Sequence, residues 1–193
     1  LKDANKPTMF YMSKMDEENA NYYKVVDDMR AMFGNTVVPL QFPIMNGDKC
    51  VGLVDVLSKT ARDTKGDDMA LTAEAEARLE EYLAALSEQV AETSEEFMDK
   101  FFGGEDFTYA EMIKGMHTGV MDCSMFPVLC GSGYTCLGSL MLMDHIVDLL
   151  PNPVEGNYHK ATTADGKVEE FVVSPGGVPS AFVFKTVSDQ YGK

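Results

Sequence analysis

No G-x-x-x-x-G-K-[ST] sequence occurs in these 193 residues, so the chain lacks the glycine loop whose backbone N–H groups would cradle a nucleotide's phosphates. Cations are scarce: 16 Lys and Arg stand against 31 Asp and Glu, a formal net charge of −15. That balance excludes a segment that grips a nucleic-acid backbone by itself, because phosphate neutralisation needs clustered Lys and Arg. A basic protein surface is the easier partner. Cys50, Cys123, Cys130 and Cys136 show no C-x-x-C spacing, and three of them lie in or beside apolar stretches. They read as buried free thiols of a cytosolic protein, not as a disulfide scaffold or zinc site. His117, His145 and His159 are too scattered to complete a metal site. There is no signal-peptide pattern and no apolar stretch of about 18 residues, so no membrane partner is expected. The nearest run, 136–150, is broken by Asp144, His145 and Asp148 and reads as a helix in a soluble core.

What is present suffices for a real core: 45% of the residues are hydrophobic, enough for one large or two small domains. Residues 8–12 form a short, nearly all-apolar run, as in a strand covered on both faces of an α/β sheet. Tyr22, Val25, Val26, Met29 and Phe33 then recur at helical spacing, with Gly34 as terminator. The β-rich runs 37–44 and 50–57 flank an Asn46-Gly47 turn and predict a hairpin; 58–70 reads as an irregular excursion. Leu79, Leu83, Leu86, Val90, Phe97 and Phe101 predict one helix from about 72 to 101, capped by Thr72 and broken at Gly103-Gly104. Thr108 and Glu111 form a capping-box pair ahead of a second helix. Phe97, Phe101, Phe102 and Phe107 read as the shared core of this helical pair. Between residues 66 and 111 there are 14 acidic residues against Arg78 and Lys100 alone, so most of the charge sits on one excursion. Residues 126–130 return to the buried-strand pattern, 137–150 to an apolar helix, and Pro151-Asn152-Pro153 stops that helix. One strand is expected at 167–173 inside a linker, and another at 181–187.

Two polar motifs follow apolar runs: Ser13-Lys14-Met15-Asp16, and Cys130-Gly131-Ser132-Gly133. A guanine pocket needs an acceptor for the N–H groups at N1 and N2, which the Asp16 carboxylate would supply with charge-assisted hydrogen bonds. Lys14 would lay its stem along the base plane with its ammonium in water. Gly133 would offer a backbone N–H to O6, and Ser132 would tighten the loop. Either motif alone fits any surface loop after a strand. Together they fall at the carboxyl ends of two candidate parallel strands, where α/β proteins place ligands.

A longer ordered series resembles the bacterial translation elongation factor G family. Family members carry Asn-Lys-Met-Asp where Ser13 to Asp16 stand, followed by an Ala-Asn-aromatic helix start like Ala20-Asn21-Tyr22. The series continues with Val38-Pro39-Leu40-Gln41, Gly52-Leu53-Val54-Asp55, and Ser94-Glu95-Glu96-Phe97-Met98-Asp99-Lys100. It closes with Phe102-Gly103-Gly104-Glu105-Asp106-Phe107-Thr108, Ile113-Lys114-Gly115 and Val147-Asp148-Leu149-Leu150-Pro151-Asn152-Pro153. The resemblance implies an α/β fold: a fragment of a P-loop GTPase G domain, Rossmann-like and three-layered, with an inserted α+β G' subdomain. Its divisions would be 1–36 and 123–153 for the G domain, 37–122 for G', 154–179 for a linker and 180–193 for the first strand of domain II.

Two departures stand out. Ser13 replaces the family's Asn, whose amide holds the base's N7 edge and braces the phosphate loop, and a hydroxyl offers fewer bonds. Gly133 replaces the usual Ala and leaves the loop more conformational freedom to lose. Both imply weaker guanine affinity or a divergent paralogue. By the resemblance, the family's phosphate loop, magnesium-holding switches and water-positioning histidine would all precede Leu1, and none of the three histidines here matches the last. The resemblance therefore implies GTP or GDP with Mg2+ for an intact parent, no catalytic or metal-binding residue here, and nothing firmly bound to the fragment. Implied partners are the ribosome and its flexible stalk protein, the latter through the acidic G' helices, in the cytoplasm. A fragment with unpaired parallel strands leaves a dimer across the open sheet edges as another arrangement. The competing reading is a non-catalytic ribosome- or protein-interaction module of a divergent paralogue.

Overall fold

Strand β7 (Phe126–Cys130) lies between two parallel neighbours, β1 (Phe10–Met12) on one side and β2 (Val37–Pro39) on the other. All five β7 residues are buried, as a strand covered on both faces requires. The computed structural model describes residues 4–155, 159–163, 165–177, 181 and 183–188. They divide into two compact units, Leu1–Leu150 and Pro151–Lys193.

Helix α1 (Tyr22–Phe33) follows β1. Asn21 caps it by accepting the Lys24 N–H, and Gly34, at a φ of 74°, ends it. Tyr22 and Val26 face inward. The Tyr23 hydroxyl donates to Pro43 O at 2.8 Å, and Arg78 lies over the Tyr23 ring at 4.1 Å, so this helix is tied to the second sheet and to α2 (Ala73–Ala91).

The run 37–44, expected as one hairpin strand, is divided between two sheets at Leu40. Leu40 donates to Val128 O in the parallel sheet and accepts from Val56 in the antiparallel one, both at 2.9 Å. Beyond it, β3 (Gln41–Asn46) and β4 (Lys49–Asp55) form the expected hairpin, with Gly47 at the positive φ such a turn needs. The stretch 58–70 is not irregular. It adds β5 (Thr60–Asp63) and β6 (Asp68–Met69), completing a four-stranded antiparallel sheet in the order β3-β4-β5-β6. Its polar composition hid the pairing because both strands are short, and of the described β5 and β6 residues only Ala61 is buried; β6 is the edge strand, where the ladder tolerates charge.

The single helix expected from 72 to 101 is two. Thr72 caps α2 by accepting the Ala75 N–H, and Ala75, Leu79, Tyr82, Leu86 and Val90 form its buried stripe. At its end the Thr93 hydroxyl donates to Val90 O, and Ser94 accepts the Phe97 N–H to start α3 (Glu95–Phe102). A hydroxyl pair that satisfies both helix ends makes the break cheaper than continuing the ladder. Helix α4 (Tyr109–Met121) begins with the full capping box of Thr108 and Glu111, and Lys100 of α3 reaches both Glu111 oxygens at 2.8 Å. Of the four phenylalanines, Phe97 is 4% exposed and pairs edge-on with Phe107, whereas Phe102 is 78% exposed and stands outside the core.

Helix α5 (Ser139–Leu149) ends the first unit, with Leu149 fully buried in a core that runs from Tyr22 through Phe42, Leu53 and Val90 to Leu129. The second unit contains an antiparallel pair, β8 (His159–Thr162) and β9 (Val168–Phe171), where one strand was expected. Thr163 closes their turn through bonds with Lys167. For the strand expected at 181–187, residues 181 and 183–187 belong to no strand, and 182 lies outside the described residues.

Candidate functional site

The two polar motifs leave the carboxyl ends of adjacent parallel strands. Met12 is in register with Cys130, and the Gly131 N–H donates to Met12 O at 3.0 Å. The Met15 N–H then donates to Gly131 O, also at 3.0 Å, which laces the loops together just beyond the sheet. Met15 is buried, while Ser13, Lys14 and Asp16 around it are exposed. Lys14 adopts a φ of 65°, a left-handed conformation that only a well-braced turn holds for a residue with a Cβ. The turn is braced: Lys14 O accepts from Glu17 N at 3.1 Å.

Ser132 is fully buried. Its hydroxyl accepts the N–H groups of Tyr134 and Thr135, each at 3.2 Å, and its own N–H donates to Leu137 O at 3.0 Å. Its side chain is therefore spent on curling the loop, which leaves Gly133 exposed at the tip. Beneath, Gly131 passes so close to Leu137 O and the Tyr11 hydroxyl that a Cβ there would overlap both. Burial raises the Tyr11 phenol above its ordinary pKa, with the Cys130 and Cys136 thiols adding to the effect, so it stays a neutral donor. Burial likewise keeps the Cys130 thiol protonated.

Ser13, Lys14, Asp16, Ser132 and Gly133, the five residues singled out from sequence, line one cavity of about 410 Å³. Glu17 and Tyr134 complete it. Neither was named from the sequence, although each directly follows a motif residue, which is the signal that would have found them. The cavity offers one ammonium, two carboxylates, an exposed backbone and an aromatic ring, groups able to bond the edge of a planar polar molecule, and its lining holds no cluster of cations.

Elsewhere in the first unit, a larger cleft of about 520 Å³ is lined by Arg30, Glu88, Gln89, Glu92, Asp122 and Ser124 among others, none of them a motif residue. His145, which the sequence left unassigned, bonds the buried Asp55, whose other oxygen accepts from the Ser58 N–H and hydroxyl. Ser58 donates to the carboxylate and not to the imidazole, so this is no activated nucleophile. Among the described residues no group of three or more His, Cys, Asp or Glu side chains is arranged to hold a metal ion, and no helix is long and apolar enough to cross a membrane.

No family model matches the chain. Among solved structures it is similar to a protein from Thermus thermophilus, ttk003000868, at 27% identity and a TM-score of 0.70. The match covers 79% of this chain and 24% of that one. The chain thus spans about a quarter of the length of that protein.

Proposed function

We propose that this chain is the base-reading part of a translational GTPase resembling elongation factor G, with residues from the P-loop GTPase G domain and an inserted G' subdomain. One observation carries the reading: the two motifs that resemble guanine-gripping loops meet in a single cavity at the carboxyl ends of neighbouring parallel strands. In this reading Asp16 accepts from N1 and N2 of guanine, Gly133 donates its N–H to O6, Lys14 covers the ring with its stem, and Ser132 holds the loop in shape. Adenine would leave the Asp16 carboxylate without its donors, a loss of roughly 1–3 kcal/mol. The donor set fits a base and not a triphosphate. Phosphates and Mg2+ belong, in this reading, to the intact parent, whose GTP hydrolysis would be coupled to ribosomal translocation, and the residues here supply positioning alone.

The test is a competition titration of the intact parent with labelled GDP, GTP and ADP. Guanine preference is expected, and Asp16→Asn is expected to shift it towards xanthine, whose N–H and C=O pattern suits an amide. A folded protein that binds all three alike would sink the proposal, and unchanged discrimination in Asp16→Asn would remove Asp16 as the base reader.

The acidic excursion favours a second reading, a module that acts through protein contacts. Of the 14 carboxylates between residues 66 and 111 all but the half-buried Glu111 are exposed, a surface suited to a basic patch on a partner protein; the family resemblance points to the ribosomal stalk protein for this subdomain. Under it, stalk binding would survive in Asp16→Asn and fall with charge reversal at Glu80, Glu81 and Glu88.

A further inference from the structure

Tyr11 stands opposite Leu129 in the parallel ladder, and Gly131 follows Leu129 at the two-residue step that keeps a strand's side chains on one face. The Tyr11 hydroxyl comes to rest against Gly131, where the missing Cβ leaves it room. From there it donates to Leu137 O at 3.4 Å, a long bond that closes a separation of 126 residues in the chain. Leu137 O also receives the Ser132 N–H at 3.0 Å, so this carbonyl is the far stem of the loop that follows β7. The two bonds that lace the motifs together, Gly131 N–H to Met12 O and Met15 N–H to Gly131 O, both fall at the near stem. A loop tied at one stem can swing about it, whereas a tie at each stem fixes its height. Tyr11 is half-buried and burial keeps its phenol protonated, so the hydroxyl remains a donor. Gly133 sits at the exposed tip between the stems, and a Cβ there would meet nothing within 4 Å. The stems and the Ser132 hydroxyl, which accepts from Tyr134 and Thr135, therefore set where the Gly133 N–H stands.

We propose that Tyr11 is a positioning residue of this site, its hydroxyl holding the 131–137 loop at the height where the Gly133 N–H meets O6 of a bound guanine. The inference rests on the base-pocket reading above and adds to it the group that aligns the O6 donor. Asp16 lies on the loop that β1 itself leads into, and it reads N1 and N2 without help from this bond. Tyr11 thus acts on one edge contact and leaves the other alone, which separates it from a residue that merely stabilises the fold. Hydrogen bonds weaken steeply away from their preferred geometry, so a shift of the loop costs the O6 bond first.

Guanosine and 6-thioguanosine, titrated against the full chain, distinguish the two contacts. Both present N1 and N2 hydrogens to Asp16, but sulfur at position 6 is a poor acceptor for the Gly133 N–H. Tyr11→Phe removes one oxygen and keeps the ring. It is expected to weaken guanosine about two- to tenfold, the worth of one hydrogen bond, and to leave 6-thioguanosine unchanged. In the ligand-free chain, amide exchange across 132–137 is expected to quicken in Tyr11→Phe while that of β7 stays as in the wild type. Unaltered guanosine affinity, equal weakening of both nucleosides, or unaltered exchange in the loop overturns the role of Tyr11 and leaves the pocket standing. A folded wild-type chain with no preference for guanosine over adenosine overturns the pocket and this role together.

Discussion

Asp55 Oδ2 on β4 and His145 Nε2 on α5 lie 2.5 Å apart in the interior, 5% and 3% exposed, and join the antiparallel sheet to the last helix of the first unit. The second Asp55 oxygen is filled by Ser58, whereas His145 Nδ1 has no hydrogen-bond partner among the described residues. Removing the imidazole strands a buried carboxylate. His145→Ala should therefore cost roughly 3–5 kcal/mol of unfolding free energy, measured by urea denaturation. Replacing both partners with apolar residues, Asp55→Val with His145→Leu, should cost less than His145→Ala alone. A loss below about 1 kcal/mol in His145→Ala would show the pair to be dispensable.

The same pair sets an acid limit. Burial alone would raise the Asp55 carboxyl, but the hydrogen bond and charge of His145, with the Ser58 bonds, more than reverse it and hold it below the usual carboxylate value. A carboxyl depressed in the folded state contributes stability that is complete above its unfolded pKa of about 3.9 and disappears as pH falls through the lower folded value. Melting temperature against pH should fall less steeply below about pH 4 in Asp55→Asn than in the wild type.

Two glycines two residues apart should respond oppositely to a methyl group. At Gly131 a Cβ would overlap Leu137 O and the Tyr11 hydroxyl, so Gly131→Ala should destabilise by about 1–3 kcal/mol and displace the loop that follows β7. At Gly133 a Cβ meets nothing within 4 Å and φ is unstrained, so Gly133→Ala should stabilise by about 0.4–1 kcal/mol by stiffening the unfolded chain. Thermal melts of the two variants check this, and equal effects would contradict the loop geometry.

Ser13 is exposed at the cavity. Its hydroxyl is shorter than the amide that the resemblance leads one to expect. Ser13→Asn should tighten guanosine binding by about two- to tenfold, the worth of one added hydrogen bond, in a direct titration. No gain would mean that this position does not reach the base.

The four thiols should react in order of exposure. Cys136 is exposed, Cys50 half-buried, and Cys123 and Cys130 buried, with burial raising the pKa values of Cys50 and Cys130. An aromatic disulfide reagent should therefore titrate Cys136 first, Cys50 slowly, and the other two only on unfolding. Prompt reaction at Cys130 would contradict its place at the end of the central strand.

Local chemistry was legible in the sequence wherever one segment carried the whole signal. Thr72 as a cap, the Thr108 and Glu111 box, the Asn46-Gly47 turn and the end of α1 at Gly34 all involve residues within a few positions of each other. Ser94 was missed because the apolar stripe of Leu86, Val90, Phe97 and Phe101 stays in register across the break. Periodicity does not see a hydroxyl that ends one helix and begins the next. The strand content of 58–70 is not legible because strands of four and two residues with Ala61 alone buried carry little apolar pattern.

At the proposed base site, residue types and their order suffice to nominate Ser13, Lys14, Asp16, Ser132 and Gly133, because the proposed edge recognition would depend on which groups are available. Their sharing of one cavity depends on β1 and β7 lying side by side though more than a hundred residues apart in the chain. No local pattern encodes that adjacency; it comes from ladder pairing and from the bonds joining Met12, Gly131 and Met15. The same holds for the Asp55 and His145 pair and for the Tyr11 hydroxyl against Gly131. Sequence by itself determined which chemistry was on offer, and tertiary structure decided which groups met, because long-range contacts form only when the core closes around them.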